Sequence, residues 1–272
     1  MTAFIEVGGL RLAYEDLGDP SGAPLLMVHG FTGHRDDFLC VRDRLAANRR
    51  VLIPDLRGHG ASGRATSEQE YDFEHVVEDL KGFLDALAID QVDVLGHSMG
   101  GMVALRWVLA FPARVRSFIA MNTAPEATPS MKADGLMKAR RLALEEGMAV
   151  LEEVSRRVAL RSPDPVLEQW ADRYWPRRRD RFLAMDPLAY AGFAQAMAKS
   201  PSLTTQLQEV RVPALVMVGE FDSDFLAAAD LFETGLPNAQ RVTLAGAGHH
   251  PHEENRAAWL SAVAEHFAGL EG

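Results

Sequence analysis

The segment Val92-Asp-Val-Leu-Gly-His-Ser-Met-Gly-Gly101 limits this chain more than any other stretch of it. An aliphatic run at residues 92–95 leads into Gly96-x-Ser98-x-Gly100, and residues 100–111 then carry a helical period. A strand that becomes a helix over so few residues must turn sharply, and glycines two positions either side of Ser98 remove Cβ atoms where the turn is most crowded. A strand feeding directly into a helix is also half of a βαβ unit, which implies a parallel sheet covered by helices. Ser98 then stands at a strand's carboxyl end and at a helix N-terminus, where unpaired N–H groups and the helix dipole favour an anion.

Other short apolar runs match such a sheet, at residues 25–28, 51–54, 118–121, 214–218 and 242–244. Residues 73–87 have helical period between two of them, and residues 4–16 alternate around Gly8-Gly9 as an N-terminal hairpin would. Open parallel sheets take their ligands beyond the carboxyl ends of the strands, so the residues that follow these runs are the candidates for chemistry.

From about residue 124 to residue 208 the strand signal gives way to helical segments broken by prolines. This stretch holds 13 Lys and Arg against 11 acids, in a chain of net charge -10. We read residues 1–123 and 209–272 as one core domain and 124–208 as an inserted helical region. Trp170, Tyr174, Trp175, Phe182, Met185, Phe193 and Met197 are expected to pack mostly as that region's own core. Trp170, Trp175 and Met185 are the candidates among them to face a substrate. The run Arg177-Arg-Arg-Asp-Arg181 reads as a solvated helix face.

The acidic balance disfavours a phosphate backbone as partner. Cys40 is the sole cysteine, so no intramolecular disulfide or multi-cysteine metal site is open to the chain. Neither a signal-peptide pattern nor an apolar run of about 18 residues occurs. The expectation is a cytoplasmic monomer or homodimer without a membrane span.

A serine hydroxyl attacks carbonyls at neutral pH only when a base takes its proton and a third group orients the base. Downstream, Gly219-Glu-Phe-Asp222-Ser-Asp224 and Gly246-Ala-Gly-His249-His250-Pro251 each follow an apolar run, which gives the order Ser, Asp, His. Asp224 competes with Asp222, and His250 and His252 with His249. A metal reading of His249, His250, His252 and Glu253 lacks the helical His-Glu-x-x-His spacing. His29, His59 and His97 are expected mainly to bond loop backbone, with His29 and His97 also candidates to touch substrate. Asp55 and Arg57 look like a pair that holds a loop.

On the Gly-His-Ser-Met-Gly elbow, His29-Gly-Phe31, Asp55-Leu-Arg-Gly-His-Gly60 and Gly-His249-x-Pro251, the chain resembles the α/β-hydrolase superfamily. The resemblance covers nearly everything outside residues 124–208. It implies an α/β fold with a mostly parallel central sheet, a helical cap (lid) over the site, and no cofactor. It also implies Ser98 as nucleophile, Asp222 as acid, His249 as base, and the backbone N–H groups of Phe31 and Met99 as oxyanion donors. The branches most similar are serine esterases, enol-lactonases and carbon–carbon hydrolases, so the leading expectation is a small-molecule carboxylic ester with a small to medium apolar acyl group. Lactone opening, carbon–carbon hydrolysis and cofactor-free perhydrolysis are the alternatives. His29-Gly-Phe-Thr-Gly33 also resembles a segment of menaquinone-pathway lyases, and a non-catalytic ligand-binding protein on the same scaffold is the reading from a different class.

Overall fold

The computed structural model describes residues 2–161 and 165–270. Eight strands form one sheet: β1 (Ala3–Val7), β2 (Leu10–Leu17), β3 (Pro24–Val28), β4 (Arg50–Pro54), β5 (Val92–His97), β6 (Val115–Met121), β7 (Ala214–Gly219) and β8 (Ala239–Leu244). Their order across the sheet is β1-β2-β4-β3-β5-β6-β7-β8. The first two strands are the expected hairpin, with Val7 opposite Leu10 and positive φ at both Gly8 and Gly9. Positive φ at both central residues defines the tight turn whose twist matches paired strands. β2 joins β4 antiparallel, and every later pairing is parallel.

Helices α1 (Arg42–Ala46), α2 (Phe73–Ala86), α3 (Met99–Ala110), α10 (Ser223–Gly235), α11 (Pro251–Glu254) and α12 (Arg256–Ala268) connect or follow the strands. The central strands bury both faces, and alternate residues sort cleanly between two apolar layers. Leu26, Val28, Val94, Phe118 and Val216 pack with α2, α3 and α10. Leu25, Met27, Leu95, Ile119 and Leu215 pack with α1 and α12 around the fully buried Trp259. Asp93, buried within β5, takes a bond from Ser117 Oγ at 2.8 Å and pairs with Arg49, whose guanidinium lies over the Phe267 ring.

Between β6 and β7 run α4 (Pro129–Lys132), α5 (Asp134–Glu146), α6 (Met148–Ala159), α7 (Pro165–Glu168), α8 (Ala171–Ala184) and α9 (Pro187–Ala198). Asp186, the N-cap of α9, ties this segment to the loop after β4. Its amide donates to Gly58 O at 2.9 Å, and Tyr71 donates to its carboxylate at 2.6 Å. Phe182, Met185, Phe193 and Met197 are buried as expected. Among the described residues no helix is long and apolar enough to cross a membrane.

Asp55 and Arg57 do not pair with each other, contrary to the sequence expectation. Asp55 accepts from the Arg35 side chain and from the amides of Arg35 and Ala61, both at 2.8 Å. Arg57 instead makes a bidentate bridge to Asp79 on α2, at 2.6 and 2.8 Å. Both still hold the loop after β4, each through a partner distant in sequence.

Candidate active site

Ser98 is the N-cap of α3 and adopts φ 53° and ψ −121°. A non-glycine residue in such a conformation costs on the order of 1–3 kcal/mol and persists only where its surroundings fix it. Here they do. Its amide donates to Met121 O at 3.0 Å, and its carbonyl accepts from Gly101 N and from Thr123 Oγ1 at 2.6 Å. The flanking glycines are explained by contact: a Cβ on Gly96 would lie 2.5 Å from Gly100 O, and one on Gly100 would overlap the Val28 and His29 carbonyls. The turn thereby brings β3 and β5 close enough for the loop after β3 to face Ser98.

That loop contributes Gly30, Phe31 and Thr32, the last with φ 59°. Phe31 is held by its ring against Tyr190 of α9, with centroids 4.6 Å apart. With Ser98 and His249 it lines a cavity of about 150 Å³.

His249 sits in the loop after β8. Its Nδ1 is 2.8 Å from Asp222 Oδ2, which fixes the ring by one edge, and the Phe225 ring stacks on it at 5.1 Å. With Nδ1–H donating to the carboxylate, Nε2 is left as the acceptor. Asp222 is buried at the head of α10, whereas Asp224 is exposed two residues further on. Of the competing histidines, His252 Nε2 donates to Asp37 O at 3.1 Å, and His250 lines the cavity without reaching the carboxylate.

Asn122, which the sequence reading passed over, completes this group. Its Nδ2 donates to Asp222 Oδ2 at 2.6 Å and to Gly248 O at 3.0 Å, so it pins both the acid and the loop that carries His249. It follows β6 directly and adopts φ 44°, a conformation asparagine tolerates better than most residues. Its place at a strand's carboxyl end was the available signal.

The remaining sequence candidates divide. His97 lines the cavity, and its Nε2 donates to His249 O at 2.8 Å. Burial, with help from the neighbouring His249, pushes the His97 imidazole well below its usual range, so it is neutral. His29 is fully buried away from the cavity, accepting from Leu56 N through Nε2 and donating to Gly30 O through Nδ1. Trp170, Trp175 and Met185 also fail to line it. Trp170 stands one turn beyond the cavity-facing residues of α8, and Met185 is packed into the core. Trp175 lies about 100° around the helix from Tyr174 and lines a separate open groove of about 640 Å³ between α6 and α8.

The face of α8 that does meet the cavity is Tyr174, Arg178 and Arg181, at the spacing of one helical stripe. This corrects the expectation of a solvated basic run. Arg179 and Asp180 are exposed, but Arg181 is buried and bonded to Asp37 Oδ1 at 2.8 Å, and Arg178 pairs with Glu152 at 3.0 Å. Burial alone would raise the Asp37 carboxyl; the Arg181 guanidinium overrides it and holds the group down at about 2. The cavity wall is therefore polar, with two guanidiniums and one carboxylate among its residues.

The alpha/beta hydrolase fold family matches residues 23–256. The chain belongs to that family. A Bacillus subtilis protein assigned as a 2-succinyl-6-hydroxy-2,4-cyclohexadiene-1-carboxylate synthase is 26% identical over 268 residues, 96% of each chain. A thermophilic esterase from Thermogutta terrifontis, solved with malate bound, is 26% identical with a TM-score of 0.86 over the whole of both chains. The enol-lactonase from Burkholderia xenovorans LB400, at 23% identity, shares the fold with a TM-score of 0.86 over 98% of this chain and all of its own.

Proposed function

We propose that this hydrolase-family chain cleaves small carboxylic esters or lactones through an acyl-enzyme on Ser98. The observation that carries the reading is the His249–Asp222 pair opening onto the same cavity as a conformationally strained serine at a helix N-terminus. His249 Nε2 takes the hydroxyl proton as Ser98 Oγ attacks the carbonyl carbon, and Asp222 stabilises the imidazolium that results. The oxyanion is held by the amides of Phe31 and Met99, each worth roughly 3–4 kcal/mol in comparable sites. His249 returns its proton to the leaving alcohol. Water, deprotonated by His249 in turn, then releases the acid. In this reading α4–α9 form a cap over the reaction, fastened to the core by Arg181–Asp37 and Tyr71–Asp186.

The test is initial rates on p-nitrophenyl esters of graded acyl length, for the wild type and Ser98→Ala. Turnover that needs Ser98, greatest for short acyl groups, is the expected result; equal rates in the two proteins defeat the assignment. A second reading, a synthase reaction rather than hydrolysis by the same three residues, draws on the whole-length similarity to the Bacillus subtilis synthase. Labelling of Ser98 by an organophosphonate without turnover of any ester favours it.

A further inference from the structure

Arg178 is the one cavity residue whose charge is not firmly committed. The Arg181 guanidinium is buried against Asp37, and both are locked beneath α8. Arg178 contacts Glu152 through Nη1 alone, at 3.0 Å, and its side chain keeps 12% of its surface open. Its guanidinium lies over the Phe182 ring, 4.2 Å from the centroid, which fixes the plane without using an N–H. Glu152 lines the outer groove between α6 and α8, and Arg178 lines the cavity with Ser98, so this ion pair is the partition between the two spaces.

The one carboxylate on the cavity wall, Asp37, is bonded to Arg181 at 2.8 Å, which leaves Arg178 no free anion across the cavity. Burial keeps His97 and His250 neutral. An apolar acyl chain in this space would leave the Arg178 N–H groups that Glu152 does not take dry and unpaired, at a cost. Two guanidiniums against one carboxylate on the cavity wall, in a chain of net charge -10, run against the protein's overall field.

We propose, on the reading of Ser98 as an acylated nucleophile, that the acyl group accepted there carries a second, free carboxylate, and that Arg178 exchanges Glu152 for it. The pair is neutral at rest, so the cavity rewards an incoming anion only when Glu152 gives way. Short half-esters of dicarboxylic acids, or lactones bearing a carboxylate, are the matching class for a cavity of about 150 Å³.

The experiment compares kcat/KM for monomethyl succinate and methyl butanoate, equal in acyl carbon number, followed by proton release. A charge-assisted bond in this setting is worth roughly tenfold or more, so the wild type should prefer the acid by at least that factor. The preference should collapse, through KM for the acid, in Arg178→Gln and in the double variant Arg178→Gln/Glu152→Gln, which leaves no unpaired charge to unsettle the fold. Glu152→Gln alone should enlarge the preference. Equal preference in wild type and both Arg178 variants, or a wild type that favours methyl butanoate, overturns the proposal. If neither ester is cleaved, the hydrolase reading is judged by the p-nitrophenyl series, and calorimetric titration with succinate still decides the present one. Binding weakened about tenfold by Arg178→Gln upholds it; no binding, or binding indifferent to Arg178, overturns it.

Discussion

Replacing Asn122 with glycine should slow catalysis while leaving substrate binding nearly intact. Asp222 Oδ2 accepts two bonds, from His249 Nδ1 at 2.8 Å and from Asn122 Nδ2 at 2.6 Å, and the second ends on the loop as well through Gly248 O. A hydrogen bond to a charged group contributes about 1.5–3 kcal/mol. At about 1.4 kcal/mol per factor of ten in rate, losing it from the carboxylate that must stabilise an imidazolium lowers kcat roughly tenfold to hundredfold. Glycine is the substitution of choice because residue 122 sits at φ 44°. Alanine there adds backbone strain of roughly 1 kcal/mol and would mix a folding effect into the result. The assay is kcat and KM on the best p-nitrophenyl ester, with the melting temperature measured alongside. Asn122→Asp supplies the complementary readout: a second carboxylate beside Asp222 makes the pair hold a proton to higher pH, so the acid limb of the rate profile should move upward. An unchanged kcat in Asn122→Gly, or an unmoved acid limb in Asn122→Asp, would refute the role.

Ser98→Gly should be inactive yet more stable than Ser98→Ala by about 1 kcal/mol, because glycine accepts φ 53° without strain; urea denaturation midpoints decide this. Stability should fall as pH drops from about 6.5 to about 4, since burial holds His252 down at about 4 while the unfolded chain takes up a proton near 6.5. The group alone accounts for about 3 kcal/mol over that window, with His97 and His250 acting in the same direction. Chemical denaturation of His252→Gln against wild type across the window should show a flatter slope, and parallel curves would count against it. Below pH 3.8 the Asp37 carboxylate, held down at about 2, adds a further loss as it protonates. Arg181→Met should destabilise by roughly 3–5 kcal/mol, because it strands a buried carboxylate. Adding Asp37→Asn should restore much of that; a single variant as stable as wild type would mean the pair is not buried in solution.

What could be read along the chain, and what could not, follows from the range of the interactions involved. The order of strand β5, the turn at Ser98 and helix α3 is written in neighbours within ten residues, so spacing and glycine placement reveal it, although Met121, Thr123 and the carbonyls of Val28 and His29 complete the turn from a distance. The strand runs are legible for the same reason, because residues buried on both faces leave an unbroken apolar signature. Pairings across the fold leave no such mark. Arg57 meets Asp79 on α2 instead of Asp55 two residues away, and Arg181 meets Asp37 from a helix more than a hundred positions later. On α8 the helical period itself was visible, but its phase was not. The expected cavity residues were Trp170, Trp175 and Met185, whereas Tyr174, Arg178 and Arg181 occupy the cavity face, with Glu152 and Asp37 standing opposite the two arginines. Asn122 lay at a strand end like the other candidates and was missed because a single amide carries no motif. Only the approach of β6 to β7 turns it toward Asp222.

The most direct test of a covalent mechanism on Ser98 is the mass of the protein quenched in acid during steady-state turnover of p-nitrophenyl acetate, followed by peptide mapping. The account predicts one acetyl group, on the peptide that contains Ser98, lost on standing in active enzyme and never formed in Ser98→Ala. Turnover with no acetyl adduct at Ser98 and an undiminished rate in Ser98→Ala would contradict it.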